Sequence, residues 1–146
     1  MGHPDTPAET ASEWADDLVR SVLAGLAGRL GIEITKAGPE TVVGRMPVAG
    51  NTMPYGLMHG GASCVLAETL GTVAAAIHAG AERRAVGIEI GATHHRPVSS
   101  GHVTGVATQV HGGRSIATYE IVITDDRGAR VCTSRLTCLL RDAPAR

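Results

Sequence analysis

From Gly61 to Ala79 the chain reads as a helix of Ala, Leu, Val and Cys that is apolar on almost every face, and Gly80 ends it. A helix without a polar face must be covered on most sides. Its apolar part, Ala62–Ala79, is at best borderline in length for a membrane span and carries Glu68 in its middle, so the cover has to come from the chain itself. Everything after it is strand-like: Ala85–Ala92 before the Arg96-Pro97 break, Val103–Val110 before Gly112-Gly113, Ser115–Thr124 before the turn Asp125-Asp126-Arg127-Gly128, then Ala129–Leu140. Ala117, Tyr119, Ile121 and Ile123 alternate with Thr118, Glu120 and Thr124, the pattern of a sheet covered on one side. With one buried helix among successive antiparallel strands, the sheet has to curl around the helix, because neither buries its apolar surface alone.

Upstream, Ile32–Thr35, the Gly38-Pro39 break and Thr41–Val48 read as a hairpin. Before that, Ala15, Leu18, Val19, Val22, Leu23, Leu26 and Leu30 recur at three- and four-residue steps, the stripe of an amphipathic helix. Thr10-Ala11-Ser12-Glu13 fits a capping box at its start, and Gly31 is placed to end it. The expected fold is α+β: an antiparallel sheet of about five or six strands wrapped around one long central helix, plus an N-terminal helix. Residues 1–9 read as a flexible tail, 10–140 as one domain and 141–146 as a polar C-terminal tail. An open sheet has edges, and bare edges invite pairing, so a homodimer is expected.

Composition narrows the partners. The chain has 146 residues, with 13 Lys+Arg against 14 Asp+Glu, a formal net charge of -1. Its aromatics are Trp14, Tyr55 and Tyr119. Nucleic-acid binding calls for basic stripes and stacking platforms, so no nucleic acid is expected, and no membrane. Cys64, Cys132 and Cys138 cannot all pair and none lies in a C-x-x-C unit, which points to a reducing compartment and away from structural zinc. The opening MGHPDTPAET lacks the apolar core of a signal peptide, and a cytoplasmic location is expected.

The strongest local signal is Asn51-Thr52-Met53-Pro54-Tyr55-Gly56-Leu57-Met58-His59-Gly60-Gly61-Ala62-Ser63, a loop running straight into the apolar helix. Two glycines at a helix entrance let a ligand approach the backbone and leave N–H groups facing it, and the helix N-terminus favours developing negative charge. A tight loop-to-helix junction uses the same glycines. Glu68 is the only charged residue from His59 through Ala81 and is expected to be buried. A buried carboxylate without a partner is costly, so it persists where it has a role or where it reaches the surface or a dimer seam. Thr72 follows one turn later on the same side, placed to orient that carboxylate or a water, or to bond back to its own helix.

His59 stands nine residues before Glu68, about 13–14 Å along a helix, beyond pairing distance within one chain. The loop of one copy meeting the helix of another closes that gap. His59 has no second ligand at metal spacing, and no metal is expected. His94 and His95 are neighbours in a strand and point to opposite faces. Arg96, Arg114 and Arg135 lie at positions suited to a phosphorylated group, and Gly112-Gly113-Arg114-Ser115 offers amides and a guanidinium or is a plain turn.

Tyr55-Gly-Leu-Met-His-Gly-Gly-Ala-Ser, Leu66-Ala-Glu-Thr-Leu-Gly and Val86-Gly-Ile-Glu-Ile together resemble the hotdog-fold acyl-CoA thioesterases. The branch they resemble is the 4-hydroxybenzoyl-CoA and phenylacetate-degradation (PaaI-like) type, whose catalytic acid is Glu. The likeness continues through His94-His95-Arg96-Pro97, Gly101-His102-Val103, Gly113-Arg114 and Ser134-Arg135-Leu136-Thr137, about residues 40–140. The resemblance implies that Glu68 is the nucleophile or general base and that Gly60 N–H polarises the thioester carbonyl. It implies that His59 orients thioester or water, that Thr72 supports the carboxylate, and that sites sit between subunits of a homodimer or homotetramer. Asn51, Met53, Gly61, Arg96, Arg114, Ser115 and Arg135 become the substrate-binding candidates, with an aryl or medium-chain acyl-CoA as substrate and no separate cofactor. Six residues before its His this branch carries a Gln that orients water; here Met53 stands there, and a thioether does neither strong donation nor acceptance. Either Asn51 or a water takes over that function, or the rate is impaired. An acyl-CoA-binding protein without catalysis, or a hydratase or dehydratase of the same fold, are the alternatives.

Overall fold

The computed structural model describes residues 7–145; residues 1–6, most of the expected N-terminal tail, lie outside it. Helix α1 (Pro7–Leu23) is followed by a short α2 (Leu26–Arg29), strands β1 (Glu33–Ala37) and β2 (Thr41–Pro47), and the long helix α3 (Gly60–Ala79). Strands β3 (Arg83–His94), β4 (His102–Gly112), β5 (Ile116–Asp125) and β6 (Arg130–Asp142) complete the chain. All six strands join one antiparallel sheet in the order β1-β2-β4-β5-β6-β3. α3 packs against this sheet, as its sequence requires.

The alternation read in β5 is realised: Ala117, Tyr119, Ile121 and Ile123 are fully buried against α3 residues Leu66, Leu70 and Val73. Side chains of this size each stabilise the fold by about 1.5–3 kcal/mol on burial. Leu70 settles where Gly44 of β2 faces Gly105 of β4, and a Cβ at either glycine would come within 2.7 Å of a Leu70 methyl. The one polar atom of Tyr119 is satisfied, its hydroxyl donating to Pro39 O at 2.6 Å and accepting from Gln109 Nε2.

Three expectations change. α1 begins at Pro7, a residue suited to a first helical turn because it has no N–H to leave unpaired, so Thr10 lies inside the helix and not at its cap. The stripe from Ala15 to Leu30 is not one helix: it breaks at Ala24-Gly25, and Gly31 (φ +77°) ends the short second piece. Gly28 permits the sharp turn, since a Cβ there would lie 1.9 Å from Leu23 O. Finally, α3 is covered all round only in its second half, where Val73–Ala76 are all buried, and incompletely before that. Ala62, Leu66, Leu70, Val73 and Ala74 are buried, whereas Gly61 and Glu68 are exposed and Cys64, Val65, Thr69 and Thr72 only half-buried. By length and composition α3 could cross a membrane, but in this fold its apolar face lies on the sheet.

Candidate active site

Glu68 is exposed in the single chain, contrary to the burial its apolar neighbours imply. The reason is topological: β3 is the sheet's edge, so nothing beyond it covers that side of α3. Gly87 of β3 lies directly against the carboxylate, and a Cβ there would sit 2.7 Å from Glu68 Oε1. A backbone irregularity follows at Gly87/Glu89, flanked by the exposed side chains of Val86 and Ile88.

Two thiols share this neighbourhood. Burial, reinforced by the Glu68 charge, raises the pKa of Cys64, and burial raises Cys138 against a hydrogen bond from Thr72. Thr72 lies beside Cys138, and among the described residues no hydrogen bond joins it to Glu68. Burial, with a smaller contribution from Cys64, pushes Cys132 up to about 11. Thiols held protonated at neutral pH are weak nucleophiles. Cys64→Ser is accordingly expected to keep wild-type turnover within about twofold. The same shifts set an alkaline limit. The unfolded chain ionises these thiols from about pH 9, the folded chain holds Cys132 protonated to about 11, and stability is expected to fall across that interval. Thermal unfolding followed from pH 8 to 11, with a shallower decline in Cys132→Ala, checks this.

At the other end of α3, His59 is the N-cap, and its Nδ1 accepts the Gly61 N–H at 2.8 Å. Gly61 thus has no free amide, against the expectation for it. Gly60 N–H has no acceptor among the described residues and opens onto a cleft of about 310 Å³ lined by Met53, Met58, Ser63, His94 and Arg96. His94 closes over Gly60, where a Cβ would lie 2.8 Å from its Nε2. In sequence His94 is one of two neighbours on opposite strand faces; the register that pairs it with Cys132 turns it toward α3. His95 bonds Thr133 Oγ1 at 2.9 Å.

Asn51 fixes the loop, its side-chain amide donating to Leu30 O at 2.7 Å and Pro47 O at 2.9 Å, while its backbone carbonyl accepts His59 N–H. With both amide protons engaged, it does not replace the missing glutamine as a donor. Tyr55 tips the loop at φ +80°, 93% exposed. The arginines are dispersed. Arg96 lines the cleft at the start of α3, but the Arg114-Ser115 turn lies at the far end, where His78 Nε2 meets Gly113 O at 2.8 Å, about 30 Å away along the helix. Arg135 is exposed on β6, opposite Glu120. Glu68 itself is about 12 Å along α3 from Gly60, so one chain does not bring the carboxylate to the open amide.

A six-stranded antiparallel sheet packed on one long central helix is the hotdog architecture. Residues 55–132 match the 4HBT thioesterase superfamily, and the chain belongs to that family. It is 49% identical over 113 residues to the proofreading thioesterase EntH of Cronobacter turicensis, covering 77% of this chain and 82% of that one. Among solved structures it resembles a thioesterase of Haemophilus influenzae (36% identity, TM-score 0.82, 88% and 90% of the two chains). It also resembles a glutamine-to-alanine mutant of a Pseudomonas aeruginosa thioesterase (33% identity, TM-score 0.82, 97% of each chain). The protein is a thioester hydrolase.

Proposed function

We propose that the protein hydrolyses an aryl or medium-chain acyl-CoA to the free acid and coenzyme A, at a site built from two copies of the chain. The observation that carries this is the bare β3 edge beside Glu68: Val86 is 51% and Ile88 56% exposed on either side of Gly87. A second copy pairing along β3 satisfies its open backbone edge, sets partner side chains beside Val86 and Ile88, and supplies the Gly60 amide that a single chain keeps too far away. Two such dimers associate into the tetramer expected from the family resemblance.

In this reading Glu68 attacks the thioester carbonyl or activates a water to do so, and Gly60 N–H of the other copy stabilises the oxyanion at the positive end of α3. The thiolate is a good leaving group, so carboxylate, amide and positioned water suffice without a metal or separate cofactor. His59, its Nδ1 held by Gly61, presents Nε2 to the thioester or water; Thr72 keeps the Cys138 side of the carboxylate ordered. Arg96 at the cleft mouth meets a coenzyme A phosphate. Arg135, Arg114 and Ser115 reach the same molecule only across subunits. Such chemistry on coenzyme A fits a cytoplasmic enzyme.

Thiol release from a panel of acyl-CoA thioesters, followed with Ellman's reagent, tests the proposal: turnover with at least one is expected, and binding of the intact thioester without release would refute it. Met53 gives a further check. Restoring a polar group, Met53→Gln is expected to raise kcat or leave it unchanged, because the amide can order the water that a thioether cannot. A fall of tenfold or more would mean that Met53 shapes the acyl site instead.

A further inference from the structure

The break between α1 and α2 has no role in the chemistry described so far, yet it builds one wall of a second recess. Val22, Leu26 and Ala27 face Val65 and Thr69 of α3 across a groove of about 250 Å³ that Glu68 also lines. Gly25 caps α2 and Gly28 allows its tight approach to Leu23 O, so the turn is set by backbone geometry. It leaves Leu26 57% exposed at the groove's rim and Ala27 buried at its base. A large aliphatic side chain held in solvent beside a reactive carboxylate has apolar surface to offer a ligand.

We propose that this groove receives the acyl group and that Leu26 determines which acyl groups are accepted. The inference rests on Glu68 being the reacting carboxylate: a carbonyl carbon within reach of its oxygen has two substituents, the acyl chain and the sulfur-linked pantetheine. The recess that Glu68 lines is otherwise walled by aliphatic side chains and Thr69; the cleft at Gly60 also carries Met53, Met58 and Val98 but adds Arg96, His94 and His95. Only the second offers a cation to a phosphate-bearing arm, which leaves the first to the acyl group. Size adds a limit. A cavity of about 150 Å³ accommodates benzene, so this groove takes a substituted ring or a chain of similar bulk and leaves a long fatty chain unburied.

Leu26→Trp and Leu26→Ala, assayed with acetyl-, hexanoyl-, benzoyl- and palmitoyl-CoA, test this at a position whose exposure spares the core. Leu26→Trp is expected to lower kcat/KM for benzoyl- and hexanoyl-CoA by about 10- to 100-fold, chiefly through KM, with acetyl-CoA within about twofold. Leu26→Ala is expected to move the preference toward the longer chain. Equal loss on every substrate, or an unchanged ranking in both variants, overturns the proposal. Glu68→Gln on the same panel separates the two readings: wild-type rates there would remove the catalytic assignment, whatever Leu26 does to selectivity.

Discussion

Replacing Glu68 by glutamine or alanine is expected to lower kcat for thioester hydrolysis by ~10³-fold or more while the thermal unfolding temperature stays within a degree or two of wild type. Both parts follow from its position. The side chain is exposed in the single chain and fills no core space, so removing it takes away chemistry and not packing. The alternative nucleophile one turn earlier, Cys64, is held protonated and does not substitute. A Glu68→Gln enzyme that still releases thiol at more than a tenth of the wild-type rate would transfer the reaction to another group, with His94 over Gly60 the first to test.

The second large effect concerns assembly. Val86→Glu combined with Ile88→Lys places charges on the exposed positions of β3 and is expected to give a folded monomer in sedimentation equilibrium, with hydrolysis reduced by ~10²-fold or more. Neither residue is in the core, so circular dichroism should remain that of the parent. The expected loss follows from the proposed shared site: about 12 Å of helix separates Gly60 from Glu68 within a chain, and in that proposal a second copy supplies the amide. A monomer with full turnover would show that one chain suffices and would remove the shared site.

Much of this protein was legible locally. The apolar run of α3, the alternation in β5, the Gly38-Pro39 hairpin and the loop into His59 each carry a period or a turn residue that no distant contact needs to supply. The family resemblance likewise rested on short motifs around Gly60 and Glu68, and the thioesterase relatives bear it out. The readings that failed needed information from outside their own segment. A continuous stripe from Ala15 to Leu30 gives no sign that Gly28 must come against Leu23 O. The expected free amide at Gly61 was lost to the neighbouring His59 ring, whose rotamer a sequence does not state.

Residue order alone determined α3 and the strands, apart from their exact ends, that α3 must sit against the sheet, and that a lone carboxylate lies within it. Tertiary structure decided what surrounds that carboxylate. Strand order left β3 at the edge and so left Glu68 uncovered; register set Gly87 beneath it and turned His94 onto Gly60; the α1–α2 turn opened a groove at its side. The division has a physical cause: backbone periodicity is fixed by neighbours a few residues away, whereas burial depends on which distant segments arrive to exclude water.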